Sequence, residues 1–341
     1  MKRNVLFLMF VLFFLIFSVN NIFAQRGTAR ESVINIRFAS PLPRNSDWGR
    51  ALDRLAGEWE RVTNNGVRVV VSHDGREGSE SGISSSLASN VLQAGLFTSI
   101  GMADICPPIM TISMPFIIRD DAELDLVMNE IKPVLDKRVK NDFVVLAWSK
   151  GGWVYIFSKE PVLTPDDLRR QKIATNEDQK ELNQAFRIMG LQLEEAGFNS
   201  LAPKLANNTI NSIYFTPTAI APMQLHKYLG NMLNLPIAPV LGAIVINRVT
   251  WNKLSPAQQQ GIIKATQQVA TEFDIATPKA EANAVSSMSK GGLKVNTPSK
   301  AETELWQNEV SKTITTLVGT TFDREIYQTI NNVLKKHREG Q

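Results

Sequence analysis

Residues 33–39 read VINIRFA and residues 67–72 read VRVVVS. Between them Leu52, Leu55, Ala56, Trp59 and Val62 recur at the i, i+3, i+4, i+7 spacing of one apolar helix face. Ser40-Pro41-Leu42-Pro43-Arg44-Asn45-Ser46 is a loop, and Asn64-Asn65-Gly66 ends the helix, because Asn and Gly enter the left-handed region cheaply. A strand, a helix and a strand in so short a stretch form a βαβ unit, so the sheet is expected to be parallel at its centre.

The alternation continues outward from this unit. A helix is expected over residues 83–94, strands over 96–102, 143–148 and 153–158, and a helix over 121–137. Thr164-Pro165-Asp166-Asp167 opens a helix: Thr caps it, Pro suits its first turn, and the two acids favour its positive end. Ser255-Pro256-Ala257-Gln258 repeats that logic and opens a long helix to about residue 289, with a kink expected at Pro278. The 341 residues, with no internal repeat, predict two α/β domains.

The N-terminus indicates the compartment. After Met1-Lys2-Arg3-Asn4, residues 5–17 form an uninterrupted apolar run, and Ile22-Phe23-Ala24 precedes Gln25. Thirteen apolar residues suit a signal-peptide core and fall short of the ~20 that cross a bilayer. Residues 1–24 are therefore expected to be a signal peptide cleaved after Ala24, and the mature chain periplasmic. An uncleaved anchor is the alternative. The lone Cys106 cannot pair internally and is expected to be a buried, inert thiol.

Much chemistry is excluded. A net charge of +4 on so long a chain disfavours nucleic acid. Gly78-Ser79-Glu80-Ser81-Gly82 has glutamate where a nucleophile elbow needs serine, and no phosphate loop follows. Gly151-Gly152 precedes a strand rather than a helix, so it cannot seat a pyrophosphate on a helix terminus. No metal-ligand or cofactor motif occurs, and Asp120-Asp121 and Asp166-Asp167 read as helix caps. An enzyme is not signalled.

Several segments, in order, resemble the substrate-binding subunits of TRAP transporters, the DctP-like extracytoplasmic solute receptors. Phe38-Ala39-Ser40 matches that family's opening, Thr63 to Val69 its turn, Gly78-Ser79-Glu80 its Gly-x-Glu, and Met114-Pro115-Phe116 its Pro-Phe. Residues 159–173, KEPVLTPDDLRRQKI, are the most specific piece, and Pro217, Lys227-Tyr228-Leu229 and Trp251 to Ser255 continue the match over nearly the whole mature chain.

The resemblance implies two α/β lobes of the periplasmic-binding-protein type around a cleft, each a mostly parallel sheet flanked by helices. Lobe I would comprise residues 32–147 and 233–270, and lobe II residues 148–232 and 271–341, with a long helix spanning both. It also implies capture of a small solute by lobe closure, then delivery to TRAP-type permease subunits in the membrane. A helical-repeat periplasmic partner protein, or an exported enzyme on the same scaffold, are the alternatives.

The departures bear on the ligand. After Lys172-Ile173 the family pattern places an arginine that pairs a substrate carboxylate, and here Ala174 stands there. Without that fork a carboxylate in a closed cleft is left unpaired, at a cost on the order of several kcal/mol. The polar or acidic run before Pro217 is replaced by Ser212-Ile213-Tyr214-Phe215-Thr216. The residues expected around the cleft are Arg44, Asn45, Trp48, Gly101, Met102, Trp153, Tyr155, Ala174, Asn176, Tyr214, Phe215 and Gly242. Arg44 is either a substitute anion anchor or a solvated loop arginine, and Lys172, on the face of Ala174 by strand alternation, is a second candidate. Trp48 and Tyr155 equally suit core packing. These largely apolar walls point to a hydrophobic or amphipathic solute.

Overall fold

A computed structural model describes residues 33–175 and 180–340. In chain order the elements are β1 (Ile34–Ala39), α1 (Asp47–Val62), β2 (Val67–Ser72), α2 (Glu80–Ala88), β3 (Ala94–Thr98), α3 (Ser99–Ile105), α4 (Asp121–Arg138) and β4 (Phe143–Ser158). They continue through α5 (Pro165–Arg169), β5 (Lys172–Thr175), α6 (Lys180–Ile188), β6 (Gln192–Glu195), α7 (Leu201–Ala206), β7 (Ser212–Phe215), α8 (Pro217–Met223) and β8 (Asn231–Leu233). The last are β9 (Ala238–Asn247), α9 (Arg248–Trp251), α10 (Pro256–Lys290), β10 (Lys294–Asn296), α11 (Lys300–Leu317) and α12 (Arg324–Glu339).

The predicted βαβ unit is present, with β1 parallel to β2 and also to β3. The strand order is β2-β1-β3-β9-β4-β7-β5-β6, with β8 and β10 attached beside β4. The middle of this array is antiparallel, because β9 and β4 run against each other and against β3 and β7. The sheet is thus mixed, with its parallel pairs towards either side, and the expectation of a parallel centre is corrected.

The two strands expected around Gly151-Gly152 are one sixteen-residue strand, β4. Gly152 takes φ +93°, which lets the strand bulge and continue where a bulkier residue would end it. The strand expected over 96–102 stops at Thr98, whose hydroxyl accepts the Ile100 N–H and starts α3.

Capping shows why α5 and α10 begin where they do. Thr164 with Asp167, and Ser255 with Gln258, form reciprocal capping boxes. Helix α10 then runs 35 residues, continuing through Pro278. At 1.5 Å per residue it is about 50 Å long. Its first half packs on α1, where Trp59 donates its indole N–H to Thr266 at 2.9 Å and Trp48 lies on Phe273 with ring centroids 3.8 Å apart. Its far end, through Met288, joins an apolar cluster with Phe157, Leu201, Leu205 and Ile213 on the other half of the sheet. Helix α12 returns to α4, where Arg338 binds the nearly buried Glu123 at 2.7 and 2.8 Å.

Cys106 is fully buried and its thiol is pushed up to about 12, by burial and then by Asp136, as an inert core cysteine requires. Among the described residues no helix is long and apolar enough to cross a membrane. The expected signal segment lies outside the described residues.

Candidate functional site

Ligands of open α/β sheets sit beyond the carboxyl ends of parallel strands. Here β1 and β3 end at Ala39 and Thr98, and β5 and β7 end at Thr175 and Phe215. Thr98 pairs with Gly242, which pairs with Ser149 of β4, while Phe215 pairs with Tyr155 of the same strand. Both sets of strand ends therefore converge on the middle of β4. Tyr155 lies six positions beyond Ser149, a span of roughly 20 Å at strand rise, enough for a small solute.

On the far side of this crevice, register fixes which residues share a face. Tyr155 lies opposite Phe215, and Phe157 opposite Ile213. Ala174 is on the neighbouring strand one residue beyond the Ile173–Ser212 pair, and so on the face of Ile213 and Phe215. Tyr214 points the other way. Its ring meets Phe186 edge-on at 5.6 Å, and burial pushes its hydroxyl up. That opposite face encloses a void of about 20 Å³ bounded by Ser212, Tyr214, Ile173, Phe186 and Trp306, room for about one water. Strand alternation thus removes Tyr214 from the wall that carries Phe215 and Ala174. Ala174 is buried (7% exposed) in the cluster of Leu201, Leu205 and Ile213, and Lys172, at the strand's other end, is exposed. Asn176 lies outside the described residues.

On the near side Gly242 stands beside Thr98. Gly101 is on α3, and a Cβ there would lie 2.6 Å from Glu80 Oε1. The glycine makes room for that glutamate, whose carboxylate accepts the Thr98 N–H at 2.5 Å and the Thr98 hydroxyl at 2.8 Å. Glu80 was visible as part of the Gly-x-Glu match but was not placed in the site. Met102 is fully buried in the core cluster of α3, and Trp48, 8% exposed, packs on Phe273 of α10. Asn45 is exposed, and its carbonyl accepts from Arg50.

Arg44 is already engaged. Its Nε lies 3.0 Å from Asp53 Oδ2, and its N–H donates to Asp74 at 3.2 Å. His73 lies 2.9 Å from the other Asp53 oxygen. Burial acts to raise the Asp53 carboxyl, and the bonds from His73 and Arg44 outweigh it and hold the group below the usual carboxylate range.

The middle of β4 is held by carboxylates of α10 and α4 that sequence reasoning did not place there. Trp153, 6% exposed, donates its backbone N–H to Glu281 at 2.8 Å and its indole N–H to Asp121 at 3.0 Å. Asp274 accepts the Ser149 hydroxyl at 2.5 Å and the Lys150 N–H at 2.7 Å, and Lys150 Nζ reaches Asp125 at 2.8 Å. Burial raises Glu281 to about 7, with Asp121 adding to it and the Trp153 N–H opposing. Burial, then the charges of Glu281 and Asp121, push the Tyr155 hydroxyl to about 12. The available signal was a pair of glycines inside an apolar strand, which marks a close approach by another group. Among the described residues no group of three or more His, Cys, Asp or Glu is placed to hold a metal.

Two sheet halves joined through one long strand and braced by a spanning helix, with strand ends converging on the middle of that strand, form the two-lobe arrangement expected of a solute receptor. The match to the family described as bacterial extracellular solute-binding protein, family 7, covers residues 38–318, and the chain belongs to that family, the substrate-binding subunits of TRAP transporters. It is a binding protein rather than an enzyme.

The 2,3-diketo-L-gulonate-binding periplasmic protein YiaO of Escherichia coli is 21% identical over 304 residues, covering 86% of this chain and 88% of its own. A solved TRAP periplasmic solute-binding protein from Ralstonia eutropha with bound (S)-2-acetolactate superposes with a TM-score of 0.81 at 17% identity, covering 88% of this chain and 99% of its own. The sugar acid binding protein of Advenella mimigardefordensis, in complex with galactonate, gives 0.81 at 18%, covering 89% and 99%. At these identities the structures share the fold alone.

Proposed function

We propose that this receptor captures a hydrophobic or amphipathic small molecule in the crevice at the middle of β4 and passes it to TRAP-type permease subunits. The observation that carries the reading is Ala174, packed among Leu201, Leu205 and Ile213 where the family pattern has a carboxylate-pairing arginine. Tyr155 and Phe215 add aromatic surface beside it, and Arg44 is held by Asp53. Asp121, whose charge acts on Tyr155 of the crossing strand, repels an anion. The walls are Tyr155, Ala174, Phe215 and Gly242, with residues 1–24 as the export signal. The lobes divide within β4, and α12, which packs on α4, goes with the first lobe. Delivery to a soluble helical-repeat protein is a variant of the same reading.

The named relatives above bind acids, which favours a second reading, a carboxylate anchored by Arg44 after release from Asp53. Calorimetric titration with galactonate, acetolactate and a panel of uncharged amphipaths separates the two. Binding confined to amphipaths supports the first. Tight binding of an acid that is lost in Arg44→Ala establishes the second.

A further inference from the structure

Between Ser149 and Tyr155, β4 is irregular where it passes from one set of strand ends to the other. Its register against β9 shifts between Lys150 and Gly152, and Gly152 sits at φ +93°. Two acidic side chains of α10, two helical turns apart, hold this segment: Asp274 at the Ser149 hydroxyl and the Lys150 N–H, and Glu281 at the Trp153 N–H. The fit is close, since a Cβ on Gly152 would lie 2.4 Å from Glu281 Oε1.

The surroundings of Glu281 are acidic. Asp121 faces it from α4, and Tyr155 from β4. Lys150 of β4 bonds to Asp125 and lies near Asp274. Strand β9 (APVLGAIVIN) and helix α8 (PTAIAPM) bring no titratable side chain. Helix α1 meets α10 at Thr266 and Phe273, about 12 Å or more along the axis from Glu281.

We propose that Glu281 is a proton-operated latch on the crossing segment of β4. The neutral acid fits the arrangement described here, and the carboxylate, facing Asp121, drives the segment away and changes the angle between the sheet halves. A hinge needs a few residues that absorb backbone change, and Gly152 is one. Burial places the Glu281 equilibrium near neutrality, so the latch works at ordinary pH. The device concerns the hinge and does not depend on which solute fills the crevice.

The test uses spin labels on Arg54→Cys in α1 and Ala206→Cys in α7, both exposed sites, with the native Cys106 buried. The protein is stripped of co-purified solute by unfolding and refolding, and pulsed-dipolar distances are recorded at about pH 6 and about pH 8. The expected result is a shift of several ångströms in the mean distance, absent in Glu281→Gln, which keeps the lower-pH distribution at both values. Identical wild-type distributions, or an equal shift in Glu281→Gln, overturn the proposal. Asp121→Asn, which removes the facing charge, carries the test if Glu281→Gln does not fold. A reduced shift supports the latch and an undiminished one overturns it.

Discussion

The carboxylate of Glu281 occupies the space that a side chain on Gly152 would need, 2.4 Å from the ideal Cβ position. A helix that braces both halves of the molecule is thereby fitted to a point at which its longest strand bulges. Substituting Gly152 with alanine adds a clash with a buried carboxylate to the strain of a positive φ. The expected loss is about 2–4 kcal/mol, read as a lowered denaturant midpoint. An alanine variant as stable as the wild type would show that α10 can move aside.

Glu281 also predicts the pH dependence of stability. Its carboxyl lies near 7 in the folded chain against 4.5 as the ordinary value. The folded state therefore holds a proton that the unfolded state has released, so this group's contribution to stability is full below pH 4.5 and is lost as pH rises through 7. The term amounts to about 3 kcal/mol at most. Unfolding followed across this window should show Glu281→Gln with a flatter profile, and more stable than the wild type on the alkaline side. Parallel profiles would place the proton elsewhere.

The loop arginine gives a prediction of small effect. Arg44 and Asp53 form a partly exposed pair, with the arginine side chain 71% exposed. Arg44→Ala should therefore cost no more than ~1 kcal/mol in chemical denaturation. It should also leave the affinity for whatever co-purifies within about twofold. A large loss of affinity would return Arg44 to the site.

Ala174→Arg tests the ligand argument from the opposite direction. The new side chain would enter an apolar cluster, and a buried charge without a partner costs several kcal/mol. Stability should fall in the empty protein and recover on adding galactonate or acetolactate, since a ligand that binds the folded state raises the melting temperature. A wild type stabilised by those acids as strongly as the variant would remove the significance of the missing arginine.

The sequence made much of this legible, for physical reasons. Short-range signals are written locally, so the βαβ unit and the caps at Thr164 and Ser255 were readable. The crossing of β4 was not, because Gly151-Gly152 resembles a break unless the carboxylate lying against it is known. Alternation alone sets Tyr214 and Phe215 on opposite faces, which reading them as a pair overlooked. Met102 fell to α3 because Glu80 and Thr98 start a helix where apolar residues suggested a strand. Asp274 and Glu281 were hidden by distance, more than a hundred residues from the backbone they hold.

The molecule held in the crevice is identified by native mass spectrometry of the mature protein, followed by unfolding and analysis of what is released. An apolar or amphipathic adduct, without a carboxylate essential for binding, is the expected result. A small polar acid recovered in its place would contradict it.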